Sequence, residues 1–390
     1  MLATSQLDVD PRIDKTARSL ARRGFEVQVL HSTAGVRHAG VEERDAASGV
    51  CHVRVPLPDR LASGWLLFQE NLRREAMSRE FDFVHANDLT TLLTGWLLAR
   101  VRGVPLVYDA HELWSENVWL TARGYEPMPA LVRKLATLYE GALVRSVALF
   151  FSVSRSICAE YQRRYRLADP PVLLPNFPEV ERLRAAGGGA SIRELCGLGD
   201  AHFVTLYLGG VNPLRNVENV IRAHHLLPPE YVFVVRGPGL ELCRDGYAAL
   251  ARSLGLEERV FMLPAVARDD VLGGCRGADC GIAMLRNLCR NFYWFYPNKL
   301  FEYMLAGLPV LVSGFPDVAA HVTAESCGLT FDPDRPESIA AAIRALGGDP
   351  AAARAMGRRG QEGVLREFNW EAVAGRLVDG YARLTATPAA

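Results

Sequence analysis

A lysine and a glutamate three residues apart, Lys299 and Glu302, open the run Y-P-N-K-L-F-E-Y-M-L-A-G-L-P-V-L-V that covers residues 296–312. Pro297 ahead of the pair and the Gly307-x-Pro309 break after it bound a helix, and the apolar residues 310–312 then read as a strand. In that helix Leu300, Phe301, Met304 and Leu305 can face a sheet, while Lys299 and Glu302, at i and i+3, share the other side. Such a pair is a surface ion pair on an ordinary amphipathic helix, or a ligand site if it stands at the strand ends of an open α/β sheet. A second group is Gly209-Gly210-Val211-Asn212-Pro213-Leu214-Arg215, between the apolar strand 203–208 and a helix from Val217. A strand, a glycine pair and a helix let backbone N–H groups approach phosphates, although tight turns use glycine pairs too. A third is formed by His85-Ala86-Asn87-Asp88 and Asp109-Ala110-His111-Glu112, the polar ends of two apolar strands. A lone histidine there is commonly a hydrogen-bonded structural residue, and the bare sequence makes neither His85 nor His111 a base.

The elements that must hold these groups alternate strand with helix along the chain, the pattern of parallel sheets covered by helices. Strands are expected over residues 25–30, 83–86, 104–108, 148–153, 203–208, 231–235, 259–263, 279–284 and 310–312. The helix expected over 131–147 carries Arg133 and Lys134 beside Leu131, Leu135 and Leu138. The commoner arrangement turns such leucines to the core and leaves the charges in water; the alternative rests the helix on anionic lipid. Residues 114–129, with Trp114, Trp119, Leu120 and Tyr125, read as irregular. The proline-stiffened Pro170–Pro178 segment reads as an extended crossing between domains, and the 185–189 run, A-A-G-G-G, as a flexible loop beyond it.

With 390 residues, 49% of them hydrophobic, and a formal net charge of zero, the chain is long enough for two domains with separate cores and has no basic excess to bind nucleic acid. The eight cysteines form no C-x-x-C or Cys/His cluster of metal spacing, so reduced thiols and a cytoplasmic location are expected. No apolar run reaches the length of a membrane span, and the start lacks the order of a secretion signal.

On these residues the chain resembles the bacterial sugar transferases of glycosyltransferase family 4. The family segment P-x-K-x-x-E-Y-M-x-x-G-x-P-V is met by Pro297, Lys299, Glu302, Tyr303, Met304, Gly307, Pro309 and Val310. Asp10, Pro11, Arg12 and Lys15 meet a D-P-R-x-x-K segment, His85 and Asp88 an H-A-x-D segment, and Tyr108, Asp109, His111 and Glu112 a Y-D-x-H-E segment. Pro175-Asn176 and Phe368-x-Trp370 match the family's domain crossing and its approach to the last helix. The family's D-P-R-x-x-K segment follows a first strand, for which only Met1 to Thr4 are left; that strand is short or the true start lies upstream.

The resemblance implies an α/β protein of GT-B fold, two Rossmann-like domains facing across a cleft: residues 1–175 on the acceptor side, 176–369 binding the nucleotide sugar, and a helix over 370–390 packing back on the first. It implies a retaining, metal-independent glycosyltransferase of hexosyltransferase type, moving a sugar from a nucleoside diphosphate to a hydroxyl of a glycan, lipid-linked or small-metabolite acceptor, as in polysaccharide biosynthesis. His111 is then the catalytic residue against the sugar; Gly209, Gly210, Arg215, Lys299 and Glu302 hold the donor's phosphates and ribose; His85, Asp88, Asp109 and Glu112 line the acceptor or sugar side. No metal and no cofactor are implied; the partners are the nucleotide sugar and the acceptor, with a weak peripheral membrane contact left open. Gly210 stands where many members have an arginine, and Trp294 where many have a glutamate that contacts the donor sugar. Those two departures keep alive a non-catalytic partner subunit, and the shared fold keeps alive a sugar-nucleotide epimerase.

Overall fold

The computed structural model describes residues 1–4, 10–33, 40–57, 61–121, 124–185 and 188–386. Residues 186–187, in the middle of the glycine-rich loop expected after the domain crossing, lie outside the described residues. The chain divides into two compact units: residues 1–119, 128–175 and 373–390, and residues 120–127 and 176–372.

In unit 1 the strands are β1 (Leu2–Ala3), β2 (Gln28–Thr33), β3 (Val41–Arg44), β4 (Cys51–Pro56), β5 (Val84–Asn87) and β6 (Leu106–Ala110). A two-stranded ribbon follows in the chain, β7 (Val118–Thr121) with β8 (Gly124–Pro127), where the sequence suggested irregular chain; its residues 120–127 belong to unit 2. Then come β9 (Leu149–Ser152) and β10 (Val172–Leu173). The sheet runs β10-β9-β6-β5-β1-β2-β4-β3, parallel except for the edge strand β3, which pairs antiparallel with β4. β5 and β6 are buried at every residue, as strands covered on both faces are. β3, by contrast, reads V-E-E-R and is exposed throughout, the charged edge that discourages pairing with another chain. The chain order reverses between β1 and β5, so the crevice lies at the carboxyl ends of these strands and their neighbour β6.

Among the helices of this unit are α1 (Pro11–Ala21), α2 (Leu61–Met77), α3 (Asp88–Arg102) and α4 (Ala130–Val144). Asp10 caps α1, its carboxylate accepting from the Arg12 N–H at 3.0 Å, with Pro11 in the first turn. α4 departs from the expectation. Leu131, Leu135 and Leu138 point to solvent, and Ala136, Glu140, Leu143 and Val144 face the interior instead. The apolar period was right and its direction wrong, because the residues facing the sheet are small or are tied down by hydrogen bonds. Glu140 is fully buried and accepts the hydroxyls of Tyr108 at 2.7 Å, Tyr161 at 3.1 Å and Tyr165 at 2.6 Å. Burial raises its carboxyl pKa, and the three hydroxyls pull part of the shift back.

Unit 2 contains β11 (Phe203–Leu208), β12 (Tyr231–Arg236), β13 (Val260–Leu263), β14 (Cys280–Ala283), β15 (Val310–Ser313) and β16 (Gly328–Phe331). Its all-parallel sheet runs β13-β12-β11-β14-β15-β16, the 3-2-1-4-5-6 order of a dinucleotide-type α/β unit with the switch point between β11 and β14. The helix Asn298–Leu305 starts after Pro297 and ends at Gly307, which adopts a φ of 75°. Leu300, Phe301, Met304 and Leu305 are buried as expected, and so is Tyr303, whose ring lies over Gly281 and whose hydroxyl accepts the Leu208 N–H at 2.7 Å.

The last helix, Trp370–Ala386, begins in unit 2, where the Trp370 N–H donates to the Pro178 carbonyl at 2.8 Å, and continues from Val373 in unit 1. There the Tyr381 hydroxyl lies 2.7 Å from His85 Nδ1. Among the described residues no helix is long and apolar enough to cross a membrane.

Candidate active site

Two charged groups stand at strand ends, one in each unit. In unit 1 the start of α1 supplies Asp10 and Arg12, the β5–α3 junction Asp88, and the end of β6 Asp109 and His111. Arg12 and Asp109, both essentially without solvent exposure, form a bidentate pair: Nε donates to Oδ2 at 2.8 Å and the second guanidinium nitrogen to Oδ1 at 2.6 Å. The remaining Arg12 nitrogen donates to the Leu174 carbonyl at 2.6 Å.

His111 is enclosed by carboxylates. Its Nδ1 lies 3.3 Å from Asp10 and 3.3 Å from Asp88, its Nε2 3.5 Å from Asp109, and its backbone N–H donates to Asp88 at 2.8 Å. Burial by itself would lower the imidazole pKa, but the charges of Asp88, Asp109 and Asp10 outweigh it and hold the ring well above its ordinary value. Asp10 moves the other way: burial raises it, and the bond and charge of His111 then bring it down to about 2. His111 is therefore an imidazolium, a hydrogen-bond donor with no free lone pair. Asp88 takes a φ of 60° at the head of α3, a strained backbone that the fold maintains where the carboxylate meets His111.

The other residues singled out in unit 1 take supporting places. His85 is buried, its Nδ1 on the Tyr381 hydroxyl and its Nε2 4.0 Å from Asp109. Desolvation, only partly opposed by Asp109, lowers its pKa to about 3 and keeps it neutral. His85 and Asp109 are thus both buried, with Asp109 between the rings of His85 and His111 at 4.0 and 3.5 Å. Glu112 is half-buried beside them, its carbonyl accepting from Tyr161 at 3.1 Å.

In unit 2 the structure brings Gly209, Gly210, Arg215, Lys299 and Glu302 to one end of the sheet. Lys299 Nζ donates to the Tyr207 hydroxyl at 2.6 Å and lies 3.8 Å from the centre of that ring. Tyr207 donates in turn to the Gly210 carbonyl at 2.7 Å, so the lysine is tied to the glycine loop through a tyrosine. Gly209, at a φ of 135°, has Lys299 Nζ 3.1 Å from where a Cβ would be. A Cβ on Gly237 would run into the Gly209 carbonyl, so the two turns are packed back to back.

That packing revises one expectation. The Gly209 N–H donates to the Arg236 carbonyl at 3.1 Å and the Val211 N–H to that of Pro238 at 2.8 Å. Two of the loop amides expected to cradle phosphate are thus already committed, and side chains carry the cationic character. Lys299 has its pKa lowered well below the ordinary lysine value by burial and by the charge of Arg215, with Glu302 opposing. Arg215 Nε is buried with no hydrogen-bond partner among the described residues, and so is Arg286 Nε. Arg286, which the sequence pattern did not single out, extends just beyond β14 at the switch point; its N–H donates to the Leu214 carbonyl at 3.3 Å and its guanidinium lies 3.5 Å from Glu218. The signal available in the sequence was only its place two residues after an apolar strand. Gly210 is exposed, and a Cβ there meets nothing within 4 Å. Trp294 caps the short helix Arg290–Tyr293, with the Arg290 guanidinium 5.9 Å from its ring centre. Among the described residues no group of three or more His, Cys, Asp or Glu side chains is arranged to hold a metal ion.

A pair of dinucleotide-type α/β units with charged strand ends is the GT-B architecture, and comparison with known proteins agrees. The Glycosyltransferase Family 4 description matches residues 12–182 and the Glycosyl transferases group 1 description residues 193–363. The chain belongs to glycosyltransferase family 4 and is a glycosyltransferase of the GT-B type. It is 28% identical over 410 residues to a D-inositol 3-phosphate glycosyltransferase of Kineococcus radiotolerans, covering 94% of this chain and 88% of that one. The sucrose-phosphate synthase of Thermosynechococcus elongatus superposes with a TM-score of 0.78 at 19% identity over 99% of both chains. Anabaena HepE, solved in complex with UDP-glucose, superposes with a TM-score of 0.71 at 15% identity over 98% of this chain and 99% of that one.

Proposed function

We propose that this glycosyltransferase takes a sugar from a nucleoside diphosphate and places it, with retention of the anomeric configuration and without a metal ion, on a hydroxyl of a small-metabolite, lipid-linked or glycan acceptor. The observation that carries this reading is the meeting of Lys299, Arg215 and Glu302 at the β11 switch point of unit 2, where the charge of Arg215 helps to lower the Lys299 pKa and Arg215 Nε is buried without a hydrogen-bond partner among the described residues. As the bond from the anomeric carbon to the diphosphate oxygen breaks, negative charge grows on that oxygen, and two fixed cations there stabilise it. Glu302 accepts the ribose hydroxyls with its two oxygens. His111, already protonated, donates to the sugar and does not take the acceptor's proton; that proton passes to the departing phosphate oxygen as the acceptor oxygen bonds the anomeric carbon. The free thiols of all eight cysteines suit the cytoplasmic side.

HepE's UDP-glucose and the relatives' inositol phosphate name the first donor and acceptor to try. The test is release of nucleoside diphosphate from a panel of sugar nucleotides, with and without inositol phosphate, in chelator, with the anomeric configuration of the product read by NMR. Acceptor-dependent release with the donor's configuration kept is expected. Activity lost in chelator and restored by magnesium or manganese would overturn the metal-free step, and an inverted product the retaining one. A second reading, a nucleotide-binding partner subunit, is favoured by the bare Gly210 and by Trp294; binding of every donor with consumption of none would establish it.

A further inference from the structure

Glu140 of α4 is a fully buried carboxyl outside both charged groups, yet its bonds converge on the stretch of chain that carries one of them. Its Oε1 accepts the hydroxyl of Tyr108, the residue before Asp109, at 2.7 Å. The Tyr161 hydroxyl stands between that same oxygen and the carbonyl of Glu112, the residue after His111, 3.1 Å from each. Glu140 therefore reaches both flanks of the Asp109–His111 segment, one directly and one through a phenol. Tyr165 differs. It bonds the other oxygen of Glu140 at 2.6 Å and has no bond to residues 108–112 among the described residues.

The groups that make these bonds are themselves fixed. Tyr161 belongs to α5 (Arg155–Tyr165), which Ser154 caps by accepting from the Ile157 N–H at 3.3 Å. The Tyr161 ring meets Phe150 edge-on at 4.9 Å, and Phe150 stacks on Tyr108 at the same distance. A Cβ on Gly141 would lie 2.9 Å from the Tyr165 ring, so α4 and α5 pack closely where Glu140 meets the phenols. Arg164, one turn after Tyr161, continues the hold further along the chain, donating to Ser115 Oγ at 2.6 Å and to Glu116 at 2.7 Å. Apolar side chains would fill the space beneath β6 without the cost of desolvating a carboxyl, so the three bonds add direction more than stability. Direction matters here, because misplacing a reacting group by about 1 Å can cost on the order of a hundredfold in rate.

We propose that Glu140 is a positioning residue for His111, fixing the place of the imidazolium by holding Tyr108 on one side and, through Tyr161, the Glu112 carbonyl on the other. The inference rests on the reading of His111 as the group that donates to the sugar. Its test compares phenols that lose the same kind of bond. Tyr108→Phe, Tyr161→Phe and Tyr165→Phe each keep the ring and remove one hydroxyl from Glu140, but only the first two loosen the segment. With UDP-glucose and inositol phosphate, or the pair that the donor panel selects, Tyr108→Phe and Tyr161→Phe should each lower kcat about tenfold and leave the KM for the donor within about twofold. Tyr165→Phe should keep both constants within about twofold, although its melting temperature falls as far as that of Tyr161→Phe. Glu140→Leu should lower kcat at least as far as Tyr161→Phe, and where it does not fold the phenylalanine variants decide. An equal kcat in Tyr161→Phe and Tyr165→Phe, or a loss of kcat that follows the melting temperature across the three, overturns the proposal. A parent chain that transfers no sugar sinks the transfer reading instead, and the positioning is then read by NMR. The His111 imidazole signal, assigned by its absence in His111→Gln, should shift in Tyr161→Phe and hold in Tyr165→Phe; a signal unmoved in Tyr161→Phe overturns the proposal by itself.

Discussion

In unit 1 every charge of the site has an opposite partner in the protein: Arg12 holds Asp109, and His111 sits among three aspartates. In unit 2 Lys299 leans on a neutral tyrosine, and Arg215 and Arg286 each keep a buried nitrogen without a hydrogen-bond partner among the described residues. The first arrangement is charge-matched within the protein, although His111 Nε2, 3.5 Å from Asp109, has no hydrogen-bond partner among the described residues. The second leaves buried guanidinium nitrogens without hydrogen-bond partners, which the diphosphate of the proposed function would supply.

The largest expected effect breaks the first arrangement. Arg12→Ala leaves Asp109 buried and unpaired, and should destabilise the protein by about 3–5 kcal/mol in denaturant unfolding. A loss like that of an exposed ion pair would mean that the cage is not what holds unit 1's site. Lys299→Met should do the opposite: nucleoside diphosphate binding in calorimetry weakens by ~1.5–3 kcal/mol while the melting temperature holds or rises. Glu302→Ala should weaken the same binding by about 1–3 kcal/mol.

The two sites should also give pH dependences of opposite slope. His111 has a raised pKa, so its contribution to stability is full below the ordinary imidazole value near ~6.5 and is lost as pH rises through the folded value. Lys299 has a lowered pKa, so between that value and the ordinary ~10.4 the unfolded chain binds the proton more readily, and stability rises with pH. Unfolding midpoints of His111→Gln and Lys299→Met, compared with the parent over that range, should diverge in opposite directions; parallel curves would remove the distinction. Bound diphosphate should raise the Lys299 pKa, so binding at alkaline pH should take up a proton, visible as a dependence of heat on the buffer. The smallest effect is a gain. Gly210→Arg has room for its Cβ and should tighten diphosphate binding by ~0.5–1 kcal/mol, the scale of an exposed ion pair.

The sequence already showed the Asn298–Leu305 helix, its proline and glycine limits and its buried face, because these are local signals. It also put His85, Asp88, Asp109 and His111 at strand ends, since apolar runs closing in polar residues mark the edge of a buried parallel sheet. Which of them would be sealed in was not legible. Arg12 and Asp109 are 97 positions apart and His85 and Tyr381 296, and no periodicity reports such pairings. The same holds for Tyr207 beneath Lys299, which reads as one more aromatic in a strand. The leucines of α4 were misread for a different reason: period gives the width of an apolar stripe, but only the tertiary contacts of Ala136 and Glu140 decide which way it faces.

The carboxylate of Glu140 with its three phenols has an optical consequence. Tyr108, Tyr161 and Tyr165 all have their ionisation pushed above the ordinary tyrosine value, first by burial and then by the neighbouring carboxylate. In an alkaline absorbance titration these phenols stay dark while unit 1 is folded and gain colour when it opens. Burial holds Tyr207, Tyr247 and Tyr303 of unit 2 up in the same way, so the buried phenols of both units give the chain an unlabelled ultraviolet reporter of unfolding.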